Sequence, residues 1–111
     1  LLLLMAACAS DRYSLGSSTG AGTRSEVQVL GGRPQVSVEN EGPGELRVQL
    51  VDAEDGRHEQ VLAPGAQTEE LVLPGPVLVA VEPTGELRAA WRLLALRATG
   101  LRVDVLVERS D

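Results

Sequence analysis

The amino-acid sequence predicts an all-β fold: a small antiparallel sandwich of two sheets, immunoglobulin-like in architecture, with seven or eight short strands. Three observations carry that reading. Apolar and polar residues alternate with a period of two, as in Leu46, Val48 and Leu50 against Glu45, Arg47 and Gln49, the pattern of a half-buried strand. Turn-forming residues interrupt these stretches roughly every ten positions, the spacing of a sandwich or barrel. The connections are too short for helical crossovers, so neighbouring strands run antiparallel. The cysteine–tryptophan–cysteine signature of true immunoglobulin domains is absent, so the expectation concerns architecture alone.

The strands follow in order. Val27 and Val29 alternate with Glu26 and Gln28 in a strand over 26–30, and Val36 and Val38 with Gln35, Ser37 and Glu39 in one over 34–40. The strand over 45–52 leads into Asp55-Gly56, the clearest hairpin, because Asp and Gly accept the positive φ that a type I′ turn requires; the return strand is 57–62. Further strands are expected over 67–73, 76–82, 86–97 and 101–108, with Val77, Val79 and Val81 on one face of the sixth and Val103, Val105 and Val107 on one face of the last. Gly31-Gly32, Pro64-Gly65, Thr84-Gly85 and Thr99-Gly100 supply turns, as do Gly42-Pro43-Gly44 and Pro74-Gly75-Pro76. Segment 86–98 fits two spacings: Leu87, Ala90, Trp91, Leu94 and Ala98 suit a helix, and Leu87, Ala89, Trp91, Leu93 and Ala95 suit a strand. Its β neighbours and Thr99-Gly100 tip the reading to a strand. A two-residue loop there would pair Ala98 with Leu101 and Leu96 with Val103, with Trp91 and Leu93 on the opposite face.

Residues 9–25 have a different texture. Ser, Gly and Thr dominate and apolar periodicity is absent, which predicts a flexible linker with an r.m.s. reach of about 20–25 Å. Tyr13 is then an incidental linker residue. Three units result: an apolar leader over 1–7, a linker over 8–25, and a β-domain over 26–111.

Composition narrows the function. A chain of 111 residues holds one small domain that buries about 60–65% of its unfolded surface. With no Phe, no Ile, one Tyr and one Trp, its core must be Val, Leu and Ala. The net charge is −6; Asp11, Arg12 and Arg24 leave residues 9–25 at +1, so the remainder carries −7. An acidic domain is a poor binder of nucleic acid or of anionic lipid. All ten basic residues are Arg and none is Lys.

The catalytic inventory is thin, and no enzyme and no cofactor are expected. The one His, His58, follows the Asp55-Gly56 turn, where side chains face solvent, and no Ser lies in a Gly-x-Ser-x-Gly elbow. The densest polar cluster is Asp52-Ala53-Glu54-Asp55-Gly56-Arg57-His58-Glu59. Asp52, Asp55 and His58 make it a candidate cation or small-ligand site, but the carboxylate spacing is not that of a Ca²⁺ loop and one His is few for zinc. A solvated hairpin tip is the plainer reading, and no metal is assigned. The acidic pairs Glu69-Glu70 and Glu39/Glu41 offer two carboxylates without a spacing that suits glycoside hydrolysis. Trp91 is the residue best suited to anchor a ligand, although a lone Trp in a chain without Phe is more simply the core's largest filler.

The only cysteine, Cys8, ends the apolar run Leu1-Leu2-Leu3-Leu4-Met5-Ala6-Ala7. This resembles the lipobox of bacterial lipoproteins, in which an apolar run and two small residues precede the cysteine that becomes the lipidated first residue. Met5 stands where the family usually has Leu, and no positive n-region precedes the run, so the chain reads as truncated upstream. An ordinary secretory signal leaving Cys8 free is the alternative; a spanning helix is not, because Ser10, Asp11 and Arg12 end the run well short of the roughly 20 residues needed. The resemblance implies acyl chains such as palmitate on Cys8, a membrane held as partner through that lipid, and, since Ala9 is not the Asp that retains lipoproteins in the enteric inner membrane, an outer-membrane location facing the periplasm. The expected function is a lipid-anchored, non-enzymatic envelope protein whose β-domain meets a protein partner or serves a structural role, with strand addition at an open sheet edge as the mode. The alternative is a small-ligand or cation-binding envelope module using the acidic hairpin 52–59; a hydrolase comes last.

Overall fold

The computed structural model describes residues 12–103 and 107–108. Cys8 and the apolar leader, and Val105 and Leu106 near the C-terminus, lie outside them. The described chain forms ten strands and no helix: β1 (Arg12–Thr19), β2 (Thr23–Leu30), β3 (Gln35–Pro43), β4 (Leu46–Val51), β5 (Arg57–Leu62), β6 (Leu71–Val72), β7 (Val77–Pro83), β8 (Ala89–Leu96), β9 (Gly100–Val103) and β10 (Val107–Glu108). The alternation in 26–30, 34–40, 45–52, 57–62 and 76–82 all appears as strand. The ambiguous 86–98 segment is strand over Ala89–Leu96, as β8, and not over 86–88.

Two antiparallel sheets face each other. The first has the order β1-β8-β3-β6; the second runs β2-β7-β4-β5, with β9 and β10 both pairing along the free side of β2. Taken as eight strands, β1 to β8, that order is a jelly roll. The immunoglobulin-like expectation is corrected here, and the reason is connectivity. Among the described residues only β4 and β5, of all consecutive strands, hydrogen-bond to each other. The connections from β1 to β4 and from β5 to β9 are corners that carry the chain between sheets, and a turn signal does not distinguish a hairpin from a corner. Thr99-Gly100 illustrates the point. Rather than closing a hairpin, residues 97–99 take the chain from β8 in the first sheet to β9 in the second, with Arg97 at φ 58°.

The linker expectation is also corrected. Residues 12–19 form an eight-residue strand in register with β8, from Arg12 opposite Leu96 to Thr19 opposite Ala89, and β2 begins at Thr23. The Ser- and Gly-rich composition hid an alternation in which Tyr13, Leu15 and Thr19 face inward. Tyr13 and Leu15 pack against the core, and the Tyr13 hydroxyl donates to the Thr99 carbonyl at 3.1 Å.

The core is hydrocarbon. Val27 and Val29, Val36 and Val38, Val48 and Leu50, and Val77, Val79 and Val81 meet Trp91 and Leu93 between the sheets, each at most 2% exposed. Burying each such side chain contributes about 1.5–3 kcal/mol. Buried polar groups are paired. The Trp91 Nε1–H donates to Thr19 Oγ1 at 2.8 Å, and that oxygen lies 2.7 Å from Ser25 Oγ. Asn40, fully buried, holds a bulge in β3: its Nδ2 donates to the carbonyls of Gly44 and Leu62, and its Oδ1 accepts from the Gly42 N–H. Gly42 sits there at φ 76°, a conformation that favours glycine.

Candidate functional site

The residues that the sequence singled out do not assemble. Trp91 is 1% exposed and belongs to the core, so it offers no surface to a ligand. The Asp55-Gly56 hairpin does form, pairing Val51 with Arg57 across five loop residues. Only Asp55 takes positive φ, at 66°, so the turn is not type I′. Asp52 organises the loop: its Oδ1 accepts from the N–H groups of Glu54 and Gly56, both at 2.8 Å, and its own N–H donates to the Gly56 carbonyl. An acidic residue closing its own turn this way is an Asx motif. His58 Nε2 stands 3.9 Å from Asp52 Oδ2, and Asp55 is exposed. Among the described residues no three His, Cys, Asp or Glu side chains come together in a way that could hold a metal ion.

His58 is exposed, as its place after the turn predicts. It lies on the inward face of β5, opposite Leu50, at the mouth between the sheets. A cavity of about 40 Å³ opens there against Val48, Leu50, Gln60, Thr68 and Leu71. That is room for a water and too little for a substrate.

The larger depression is a trough of about 220 Å³ on the outer face of the first sheet, lined chiefly by Arg12, Ser14, Ser37, Glu39, Glu70 and Arg92. Strand register sets its layout. Ser14 on β1, Leu94 on β8 and Ser37 on β3 form one row across the strands; Gly16, Arg92 and Glu39 form the next. Arg12 stands beyond Ser14 on β1. The β3 bulge adds Glu41, whose Oε2 lies 3.4 Å from Arg92 Nε, while Arg92 Nη1 lies 3.4 Å from Ser14 Oγ. Glu70 accepts from Gln35 Nε2 at 3.1 Å. The trough is polar and of mixed charge, and its floor carries no aromatic ring. Of these residues only Glu39, Glu41 and Glu70 drew notice in the sequence as candidates, as members of acidic pairs. Arg92 and Ser14 carried no local motif; their signal is the polar phase of two alternating strands.

No protein-family model and no curated protein matches the chain in sequence. Solved structures match in fold. The 11S globulin procruciferin from Brassica napus is 17% identical over 86% of this chain and 22% of its own, with a TM-score of 0.59. Oxalate decarboxylase from Bacillus subtilis, whose Mn(II) centres have been characterised, is 11% identical over 92% of this chain and 25% of its own, with a TM-score of 0.60. A cupin domain from Schizosaccharomyces pombe is 10% identical over 78% of this chain and 53% of its own, with a TM-score of 0.53. This chain therefore spans about a quarter to a half of such structures, and what it shares with them is the jelly-roll β-sandwich of the cupin kind.

Proposed function

We propose that this protein is a lipid-anchored, non-enzymatic binding module of a bacterial cell envelope, held at the outer membrane on the periplasmic side by acyl chains on Cys8. The observation that carries the non-enzymatic half is the hydrocarbon filling of the sandwich. A metal centre of the kind held by oxalate decarboxylase needs imidazole or carboxylate donors converging on one ion. The inward positions of β2, β3, β4, β7 and β8 instead hold Val, Leu, Ala and Trp with Gly42 and Pro83, Ser25 and Asn40 being polar exceptions already hydrogen-bonded, and His58 on β5 joins no group of three such donors among the described residues. These residues do not fit such a centre. Surface recognition is what remains, and the trough on the outer face of the first sheet is its best-formed feature.

The anchor half is supported by the apolar run, the two alanines and Cys8. Two or three acyl chains, each buried CH₂ contributing roughly 0.8 kcal/mol, retain a water-soluble body at a bilayer where one chain holds it marginally. The experiment pairs metabolic labelling by a palmitate analogue with fractionation. Wild type takes up label and pellets with outer membrane; Cys8→Ser takes up none and becomes soluble. A Cys8→Ser protein that still labels and pellets overturns the anchor. For the binding half, crosslinked pull-down from solubilised envelopes is compared between wild type and Arg92→Ala. A partner recovered equally by both removes the trough as its binding face.

A further inference from the structure

We infer that the trough on the outer face of the first sheet binds a small zwitterion of di- to tripeptide length, its carboxylate at Arg12 and its ammonium at Glu39. The inference rests on the reading of this domain as a binder.

Two charges in the trough are left open. Arg92 lies directly across from Glu39 in register, yet it turns to Glu41 and Ser14. Among the described residues neither the Arg12 nor the Glu39 side chain has an ion-pair or hydrogen-bond partner. Glu41 thus neutralises the central cation and Gln35 occupies Glu70, leaving, among the described residues, Arg12 as the open cation and Glu39 as the carboxylate without a hydrogen-bond partner at opposite ends of the same depression. A simple anion drawn to Arg12 would meet the field of Glu39 and Glu70; a simple cation drawn to Glu39 would meet that of Arg12. A ligand carrying both signs at the right separation satisfies both.

The separation follows from the sheet. Glu39 is two strands across from Arg12 and four residues along β3 from Gln35, which shares a row with Arg12 through Leu96. With strands about 4.8 Å apart and a rise of about 3.4 Å per residue, their Cα atoms stand roughly 16–17 Å apart. Both long side chains can reach inward, so the gap between charged heads suits a short peptide better than a single amino acid. Between them the floor is low. Ser14 and Ser37 offer hydroxyls to peptide N–H and C=O groups, and Gly16 carries no side chain where a Cβ would come 3.3 Å from Arg92 Nη2. Leu94 supplies apolar contact. The volume of about 220 Å³ lies below the roughly 300–1,000 Å³ of drug-sized pockets, as a short peptide of small residues requires. Without an aromatic ring the trough cannot stack a sugar or a base.

The test is an amide NMR titration of the full-length chain in detergent micelles with tri-alanine, its N-acetylated form and its C-amidated form. Free tri-alanine should shift amides within 12–16, 35–39 and 90–94. Blocking either end should weaken binding at least tenfold. Arg12→Gln and Glu39→Gln should each weaken it at least fivefold with no change in Tm, and Glu39→Gln should bind the free and acetylated peptides alike. Arg102→Gln, on β9 in the other sheet, should match wild type. Equal binding of blocked and free peptides by wild type, or shifts outside the trough, overturns the inference. Silent peptides with a partner still captured through Arg92 remove the zwitterion alone; silent peptides and no partner remove the binding module as well.

Discussion

Trp91 shows how one residue can be read two ways and settled by its neighbours. Its ring is the largest buried side chain, and its N–H is satisfied only because Thr19 arrives on β1. Trp91→Ala leaves a large void and should cost about 3–5 kcal/mol in a urea titration followed by circular dichroism. Thr19→Val keeps the shape and removes the acceptor, stranding a buried donor; it should cost about 1–3 kcal/mol. If Thr19→Val proves neutral, the hydrogen bond is not part of what holds the core. Asp52 makes the converse point. In sequence it is one carboxylate in an acidic run, a candidate ligand. In the fold Oδ1 is occupied by two backbone N–H groups, and such a local side-chain bond is invisible until φ and ψ are known.

At the level of elements, β1 is where sequence reasoning failed most plainly. RYSLGSST is written in linker residues, and no propensity rule marks it as a strand. It is one because β8 presents an edge: eight residues of β1 pair with it in register, and Tyr13, Leu15 and Thr19 cover one side of the sandwich. A chain beginning at Gly20 should therefore lose more than an ornament. Its Trp91 emission should shift to the red and its urea transition should lose cooperativity. A truncated chain that keeps blue emission and a sharp transition would show β1 to be dispensable. β8 teaches the opposite lesson. Its composition favours a helix, yet it sits between β1 and β3, and tertiary pairing overrides propensity. Where short apolar runs recur among strands, neighbours were the sounder guide, and the strand assignment of 86–97 rested on them.

For the whole molecule, the hydrocarbon interior and the placement of acidic groups predict indifference to divalent cations. Ca²⁺ or Zn²⁺ at a hundredfold excess should leave Tm unchanged, whereas a site with a Kd one hundredth of the free metal would add about 2.7 kcal/mol. A clear rise in Tm that disappears in Asp52→Asn would restore the hairpin 52–59 as a metal site. Binary alternation, with turn residues every ten positions, was enough to specify most strands, most of their inward valines and leucines, and a two-sheet sandwich, because which face a side chain takes is a local property of an extended chain; it failed over 67–73, where only Leu71–Val72 form a strand, and at Val103, which is exposed. The same letters left open which strands pair and how the chain passes between sheets, because Thr99-Gly100 can close a hairpin or turn a corner with equal local ease. That choice belongs to the packed sandwich. It alone put Arg12, Ser14, Glu39 and Arg92, spread over three strands and eighty residues of sequence, onto one outer face, since residues so distant in the chain meet only through long-range pairing.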